Sequence, residues 1–516
     1  MVKFFNIDDR RVSPVGASFY VTTQPMFKVI SIILLLFCYG CRTTSAVPSP
    51  KFILNDVHSK LNIVQVDKIE RPKSVQNVVE IIQEAKKSNK AISISGAKHA
   101  MGGQQFGKDT THISMTEMNE VISFDPVKGI VRVEAGITWP QLIEDLSQRQ
   151  KDSSAPWVIV QKQTGADQLT LGGALSANIH GRGVKYKPII QDVESFTLVN
   201  ADGKVLNVSR TENPELFSLV IGGYGLFGVI ATVDLRLTPR QKLQRSVEVV
   251  NIEDLEVKTK QRIADGALYG DFQYNTNSQS EDFMKEGVFS TYKPVSHDTP
   301  IPFEQEKLTP EQWYKLLHLA HVDKSQAFKM YSQHYLKTNG QIYWSDTHQA
   351  GFYADKYVEY LEKVEPNYPK GSLMITEVYV PRKQLNAFID QVIEDVHQNQ
   401  INVIYGTMRL IQRDDESYLA WAKQDYACII FNVRVEHSDQ GIAKAQKDFQ
   451  LLIERALELG GSYYLTYHRW ARKDQVLKAY PQFVEFMKFK KKYDPQERFQ
   501  SEWYRHYKSM FSEELK

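Results

Sequence analysis

The chain has 516 residues, 42% of them hydrophobic and 24% charged, with 63 basic against 61 acidic side chains and a formal net charge of +2. This is an ordinary globular composition, long enough for several domains or one large two-lobed protein. A charge so close to balance excludes the basic footprint of a protein whose main partner is nucleic acid, and no heptad run, repeat or low-complexity tract is present.

Residues 1–48 read as a targeting segment. Met26-Phe27-Lys28 precedes an apolar run from Val29 to Tyr39. That run has the length of a signal-peptide core and is shorter than the roughly 18 apolar residues of a spanning helix. Gly40-Cys41 is similar to the end of a bacterial lipobox, whose cysteine is acylated, although Cys38 and Tyr39 stand where leucine and a small residue are usual. Thr44-Ser45-Ala46 offers an ordinary cleavage site instead. The reading is therefore an exported protein, periplasmic or a membrane-anchored lipoprotein, with Met26 as its true start. An uncleaved hydrophobic anchor is the alternative. The third cysteine, Cys428, is far from the other two, so neither a disulfide framework nor a metal cluster can be read.

Regular structure begins after the mixed stretch 47–62. Ser74 is placed to cap a helix whose apolar face is Val75, Val78, Val79, Ile82 and Ala85. A strand, Ala91–Ser95, then enters a loop holding Gly96, His99, Gly102 and Gly103. Such glycines let a backbone approach a ligand closely, and successive N–H groups in such a turn form a concavity for anions. Gly129–Gly136 alternates as a strand, and Thr138-Trp139-Pro140 opens a helix through Leu146. A second glycine-rich loop, 168–183, contains His180, and 190–208 reads as a hairpin turning at Ala201-Asp202-Gly203. Gly223–Gly228 matches GxGxxG, but a Rossmann turn needs a helix to follow it. Here the alternating run Val229–Leu237 predicts a strand, so that reading is rejected.

From about 243 the pattern changes to strand-like runs and polar loops up to 300. A helical stretch Leu308–Met330 follows, then strands Ser372–Val380, Val403–Arg413 and Ala427–Val435, and helices Gln384–His397 and Gln440–Leu459. This is a second α+β region. Glu377 and Arg409 stand out as charges in apolar strands, since buried charges need partners. They are either site residues or an ion pair on an outward face. His468 lies in an aromatic run, Tyr463–Trp470, and either faces a site or packs with Trp470.

Several stretches recur together in one family: Pro72 with its helix, Ser95–His99, Glu134-Ala135-Gly136, Gly172–Gly181, Ala201–Gly203, Glu215-Leu216-Phe217, Gly222–Gly228, Lys492–Pro495 and Arg498-Phe499. In this set the chain resembles the FAD-linked oxidoreductases with a vanillyl-alcohol-oxidase / p-cresol-methylhydroxylase (PCMH) type flavin domain. Within them it is most similar to the sugar-acting branch of aldonolactone oxidases, alditol oxidases and decaprenylphosphoryl-ribose oxidoreductases. The resemblance covers nearly all of 60–240, is patchy from 243 to 440 and resumes after 460. It implies an α+β, two-lobed fold: an FAD-binding PCMH-type domain over 60–240, a mixed α/β substrate (cap) lobe over 241–460 and a segment, 461–516, returning to the flavin.

The same resemblance implies FAD as cofactor. Ser95, Gly96, Ala97, Lys98, His99, Ala100, Gly102 and Gly103 would approach its diphosphate. Gly136, Gly172, Gly173, Asn178, Ile179, His180, Gly181, Gly228 and Ile230 would complete the binding set. Many relatives bond a histidine at the His99 position covalently to the flavin; Lys98 and Ala100 depart from the usual neighbours, and a non-covalent FAD packed against His99 is the alternative. The implied activity is oxidation of a hydroxyl-bearing carbon of a sugar, polyol or aldonolactone-like substrate by hydride transfer to flavin N5. Either His468 or Glu377 would take the hydroxyl proton and Arg409 would stabilise negative charge, with Lys473 a weaker candidate. A branched Ile179 before His180-Gly181 implies obstruction of oxygen and an acceptor such as a quinone or dye, making the protein a dehydrogenase rather than an oxidase. Two other readings stay open: an exported flavin-binding lipoprotein without catalysis, and an oxidoreductase of a lipid-linked sugar with a quinone acceptor.

Overall fold

The computed structural model describes residues 51–351 and 356–516, so the segment read as a targeting signal, with Cys38 and Cys41, lies outside the described residues. The first glycine-rich loop leaves the edge of a three-stranded parallel sheet ordered Lys68–Glu70, Thr111–Ser114, Ile92–Ser95. The helix Val75–Lys87 begins as its sequence predicts, with the Ser74 side chain accepting the N–H of Asn77. It buries Val78, Ile82 and Ala85 in a core shared with Ile92, Ile113 and Val229.

An antiparallel sheet adjoins it, ordered Val205–Ser209, Val193–Val199, Val229–Pro239, Ile130–Glu134, Val121–Asp125, with Trp157–Ile159 paired to the far end of Val229–Pro239. The GxGxxG stretch thus leads into a central strand of this sheet, as its alternation predicts. Trp139–Arg149 is a helix opened by a capping box between Thr138 and Gln141, with proline in its first turn.

The later part of the chain builds an eight-stranded antiparallel sheet: Ile342–Trp344, Lys242–Asn251, Glu286–Val295, Tyr269–Tyr274, Val403–Ile411, Tyr426–Glu436, Gly371–Pro381, Ser462–Tyr463. Helices Leu385–Asn399 and Asp439–Glu458 pack on it through the apolar faces that periodicity marks, Phe388, Ile389 and Val392 on one and Phe449, Leu452 and Ile453 on the other. The end of the chain then turns back. Phe499 bridges Ile92, and Arg498 donates to the carbonyls of Ala85 and Lys90 at 3.1 and 3.0 Å. Together these elements make the α+β fold that the resemblance implies.

Several sequence expectations change: Phe52–Leu54 is a strand within the lead-in, and the stretch read as helical over Leu308–Met330 is two helices, Pro310–Val322 and Lys324–Lys337, broken at Asp323. The first half of the glycine-rich stretch 168–183 is a short helix, Leu171–Ala177, because the Thr170 hydroxyl caps it by accepting the N–H of Gly173. The region after 243 contains a helix, Ile252–Ala264, capped by Asn251, whose charged outer face hides the buried Ile252 and Leu255 from a strand-oriented reading.

Candidate active site

Both glycine-rich segments and one face of the eight-stranded sheet enclose a single cavity of about 770 Å³, within the range of cofactor and small-molecule sites. Gly96, Ala97, Lys98, His99 and Ala100 form one wall; Thr170, Gly173, Ala177, Ile179 and His180 form a second. The floor follows from strand alternation. Tyr405, Asn432 and Ile375 make one row across three neighbouring strands, and Thr407, Ile430 and Glu377 make the next. All six line the cavity.

Glu377 is the buried acid of this floor, 1% exposed. Its Oε1 lies 2.8 Å from Nε2 of His180 and also accepts from the Tyr379 hydroxyl, while the Tyr467 hydroxyl reaches its Oε2 at 3.4 Å. Burial pushes this carboxyl up, but His180, the Tyr379 hydroxyl and the Arg409 guanidinium outweigh it, and the net direction is below the ordinary glutamate value. Arg409, two residues along its strand from Thr407, donates to the Gly181 carbonyl at 3.4 Å and to the Thr164 hydroxyl; among the described residues its Nε has no acceptor. The Nδ1 atom of His99 is 2.7 Å from Nε2 of His58. Burial, reinforced by His58, brings His99 down to about 3, so its imidazole is neutral at working pH.

The remaining predicted residues divide by position. Ile179 and His180 reach the cavity, while Asn178, in the left-handed conformation that ends the short helix, is buried behind it. Its side chain bonds Asp414 at 2.8 Å, and its carbonyl takes the Trp421 indole N–H at 3.0 Å. Gly136, Gly172, Gly181 and Gly228 are pressed against neighbouring segments, where an added Cβ would come within 2.9 Å of other atoms. Ser95 bonds His112 at 2.9 Å, Gly103 gives its carbonyl to the Trp503 N–H at 3.2 Å, Gly102 packs on Gln104, and Ile230 pairs with Leu198 in the core. These residues support the walls rather than line them.

The assignment of His468 as a possible base is corrected. Its Nε2 bonds the Thr376 hydroxyl at 3.1 Å, and its ring stacks on Trp470 and packs on Phe449. Thr376 and Glu377 are successive residues of one strand and point to opposite faces, so His468 lies on the far side of the sheet from the cavity. Lys473 is likewise elsewhere, paired with Glu514. Sequence reasoning missed His58, Thr164 and Thr170. Their only signals were a polar residue in an irregular lead-in, a loop threonine and a helix cap.

Comparisons with known proteins bear on this geometry. Residues 66–209 match the family model described as FAD binding domain. The protein carries an FAD-binding domain. The FAD-binding chain is 32% identical to L-gulonolactone oxidase of Bos taurus over 176 residues, 34% of this chain and 38% of the relative. It is 24% identical to the mitochondrial L-galactono-1,4-lactone dehydrogenase of Brassica oleracea over 252 residues, 49% of this chain and 40% of the relative. It therefore spans only about two fifths of the length of these two curated relatives. Cytokinin dehydrogenase 3 of Arabidopsis thaliana aligns over 93% of this chain and 97% of its own length, at 23% identity.

The residues present fit FAD. An added Cβ at Gly173 would meet only the Thr170 hydroxyl, at 3.1 Å, so glycine there leaves backbone open toward the cavity. Gly96 is pressed against the same threonine, its would-be Cβ 2.0 Å from the hydroxyl oxygen. The two walls therefore close on each other with little side-chain bulk between them. The neutral His99 and the small Ala97 and Ala100 give a cofactor access to the first wall, and Ile179 and His180 give it a packed edge on the second.

Proposed function

We propose that the protein is an FAD-dependent oxidoreductase that oxidises a hydroxyl-bearing carbon of a sugar, polyol or aldonolactone-like substrate. Bound FAD supplies the acceptor for a hydride equivalent. The reading rests on one observation: an ionised, buried carboxylate, Glu377, shares a cavity with the two glycine-rich walls of an FAD-binding domain. Gly96–Ala100, Gly173 and Ile179 would hold the cofactor. Glu377 accepts the hydroxyl proton of the substrate while His180 and the Tyr379 hydroxyl fix its orientation. Arg409 presents an unfilled Nε–H donor to negative charge developing near the floor. Tyr405, Asn432, Thr407 and Tyr467 offer hydroxyl and amide partners to a polyhydroxylated substrate.

The same reading assigns His99 as the attachment point of the flavin, residues 60–240 as the flavin lobe, 241–460 as the substrate lobe and 461–516 as the returning segment. Ile179 favours an acceptor other than oxygen. The apolar run and Gly40-Cys41 of the N-terminal segment support export and membrane anchoring; among the described residues no helix is long and apolar enough to cross a membrane. A second reading, a lipid-linked sugar as substrate with a quinone acceptor, draws support from the apolar stretch of cavity wall at Leu308, Trp313, Leu316 and Phe328.

Purification with an absorption spectrum, followed by a panel of sugars, polyols and aldonolactones with a dye acceptor, tests this. At least one panel member should bleach a yellow flavin band. Folded protein that never takes up flavin would end the proposal, and flavin that no panel member reduces would favour a non-catalytic flavin carrier.

A further inference from the structure

The cavity continues from the Glu377 floor into a chamber walled by the strands Lys242–Asn251, Tyr269–Tyr274 and Glu286–Val295. Two guanidinium groups converge there. The Cζ atoms of Arg182 and Arg245 lie 4.8 and 5.3 Å from the centroid of one ring, Tyr292, and Arg245 lies 4.4 Å from the Tyr335 ring as well. Arg245 is 7% exposed. The carboxylate facing them is Asp271, whose Oδ1 is 3.4 Å from Nη1 of Arg182.

Among the described residues, the other hydrogen-bond partners of the pair are neutral. Arg182 donates to the His348 carbonyl, and Arg245 donates to the Ser290 hydroxyl at 3.0 Å. The Nε atom of each guanidinium is buried with no acceptor among the described residues. Burial holds the phenols of Tyr335, Tyr343 and Tyr405 protonated, so they bring no negative charge. Among the described residues the one ion pair of these two desolvated cations is Arg182 with Asp271, and Glu306, the exposed acid of the same cavity wall, pairs with neither, so the buried part of the chamber is short of negative charge. A buried cation without a counter-ion is costly, and the guanidinium fork matches a carboxylate or phosphate through paired N–H donors.

Chain connectivity sets the reach of this chamber. Arg182 is two residues from His180, which bonds Glu377, so their Cα atoms are at most about 7 Å apart. Arg182 and Glu377 both line this one cavity, so a molecule held by Arg182 lies in the space the carboxylate faces.

We propose that this chamber binds an anionic substituent of the substrate, a carboxylate or a phosphate, between Arg182 and Arg245, so that the protein acts on a sugar acid or sugar phosphate. The proposal rests on the oxidoreductase reading for the word substrate, and its test does not depend on turnover.

Isothermal calorimetry on the flavin-loaded protein compares D-gluconate with D-sorbitol, D-glucose 6-phosphate with D-glucose, and inorganic phosphate alone. With FAD already bound, its own phosphates cannot account for the result. At least one anionic sugar should bind about tenfold or more tightly than its neutral partner. Which of them does so assigns the carboxylate or the phosphate. Arg245→Met and Arg182→Met should each remove that advantage while leaving the affinity of the neutral partner unchanged, and Arg245→Lys should retain part of it. Melting temperature and flavin content establish that each variant is folded. Equal affinity for anionic and neutral partners, an advantage that survives both methionine variants, or inorganic phosphate binding as tightly as the sugar phosphate would each overturn the proposal. If preparations lack flavin yet keep an anion preference sensitive to Arg245, the oxidoreductase reading fails and the anion chamber stands.

Discussion

His180 and Glu377 are 197 residues apart in the chain, yet Nε2 of one lies 2.8 Å from Oε1 of the other. One comes from the turn after the short helix Leu171–Ala177, the other from the floor strand Gly371–Pro381. Their bond ties the glycine-rich wall to the sheet. Glu377→Gln keeps the shape and removes the charge. If Glu377 is the base, kcat with a dye acceptor should fall about 10²- to 10⁴-fold with flavin content unchanged. A kcat within threefold of wild type, roughly 0.6 kcal/mol of barrier, would remove it from that role.

The same residue sets a pH dependence. His180, Tyr379 and Arg409 hold its carboxyl below the ordinary glutamate value against the upward push of burial. As the proposed base the group would work in its carboxylate form, so activity should be present above its folded-state pKa and be lost as pH falls through it. The acid limb of kcat/KM should therefore lie below the normal glutamate pKa of about 4.3. A limb between pH 6 and 7 would show that burial, not its partners, governs Glu377. The folding contribution of this group has the same sign: it is complete above the unfolded value and lost as pH falls through the folded one.

Lys490 and Asp494 form an ion pair with side chains 0% and 1% exposed. Asp494 also accepts the N–H groups of Arg498 and Phe499, each at 2.8 Å, and Phe499 bridges Ile92 at the base of the first glycine-rich loop. Lys490→Met leaves that carboxylate buried with backbone donors alone. Removing one partner of a buried pair costs about 3–5 kcal/mol. Urea unfolding should show a loss of that size, accompanied by weaker flavin retention because the loop loses its support. A loss below about 1 kcal/mol would mean that the two backbone donors suffice for Asp494.

How far this was legible in the sequence depends on the kind of signal. Val229–Pro239 was readable because alternation and the terminal proline agree, and that alone removed the Rossmann reading of Gly223–Gly228. Ser74 and Thr138 announced their helices through cap chemistry. Glu377 and Arg409 were visible as charges out of place. The error over His468 has a definite origin: alternation separates Thr376 from Glu377, but only pairing with Tyr426–Glu436 and the cavity beyond shows which face is which. His58 was invisible because its role is contact with His99, 41 residues away, from a segment with no period. Arg182 and Arg245 meet over Tyr292, a juxtaposition of three separate segments that no local pattern encodes.

His99 faces the cavity with its imidazole brought down to about 3, chiefly by burial and then by His58. A neutral ring nitrogen is the nucleophile that covalent attachment to a flavin requires. Acid-precipitated protein should then retain yellow flavin in the pellet, and His99→Ala should release all of it to the supernatant. His58→Ala should slow attachment without abolishing it, because it removes the group 2.7 Å from Nδ1 and leaves the attacking ring in place. Flavin that appears wholly in the supernatant from wild-type protein would establish non-covalent binding.

Ile179 lies on the cavity wall immediately before His180, 6% exposed, with its N–H held by the Ala174 carbonyl at 3.2 Å. The backbone there is fixed by the end of the short helix, so the side chain can move only by rotation about its own bonds. A β-branched residue is also stiff at χ1, which leaves little motion to open a path beside it. On the proposed reading, oxygen would meet a closed wall here, whereas a dye that accepts electrons at an exposed edge would not need that path. Ile179→Ala should raise peroxide formation about tenfold or more, a barrier change of roughly 1.4 kcal/mol, while the dye-linked rate changes less than about threefold. Oxygen electrode and dye-reduction assays on the same preparation separate the two rates. Wild-type protein that forms peroxide as fast as it turns over substrate would show that Ile179 does not gate oxygen at all.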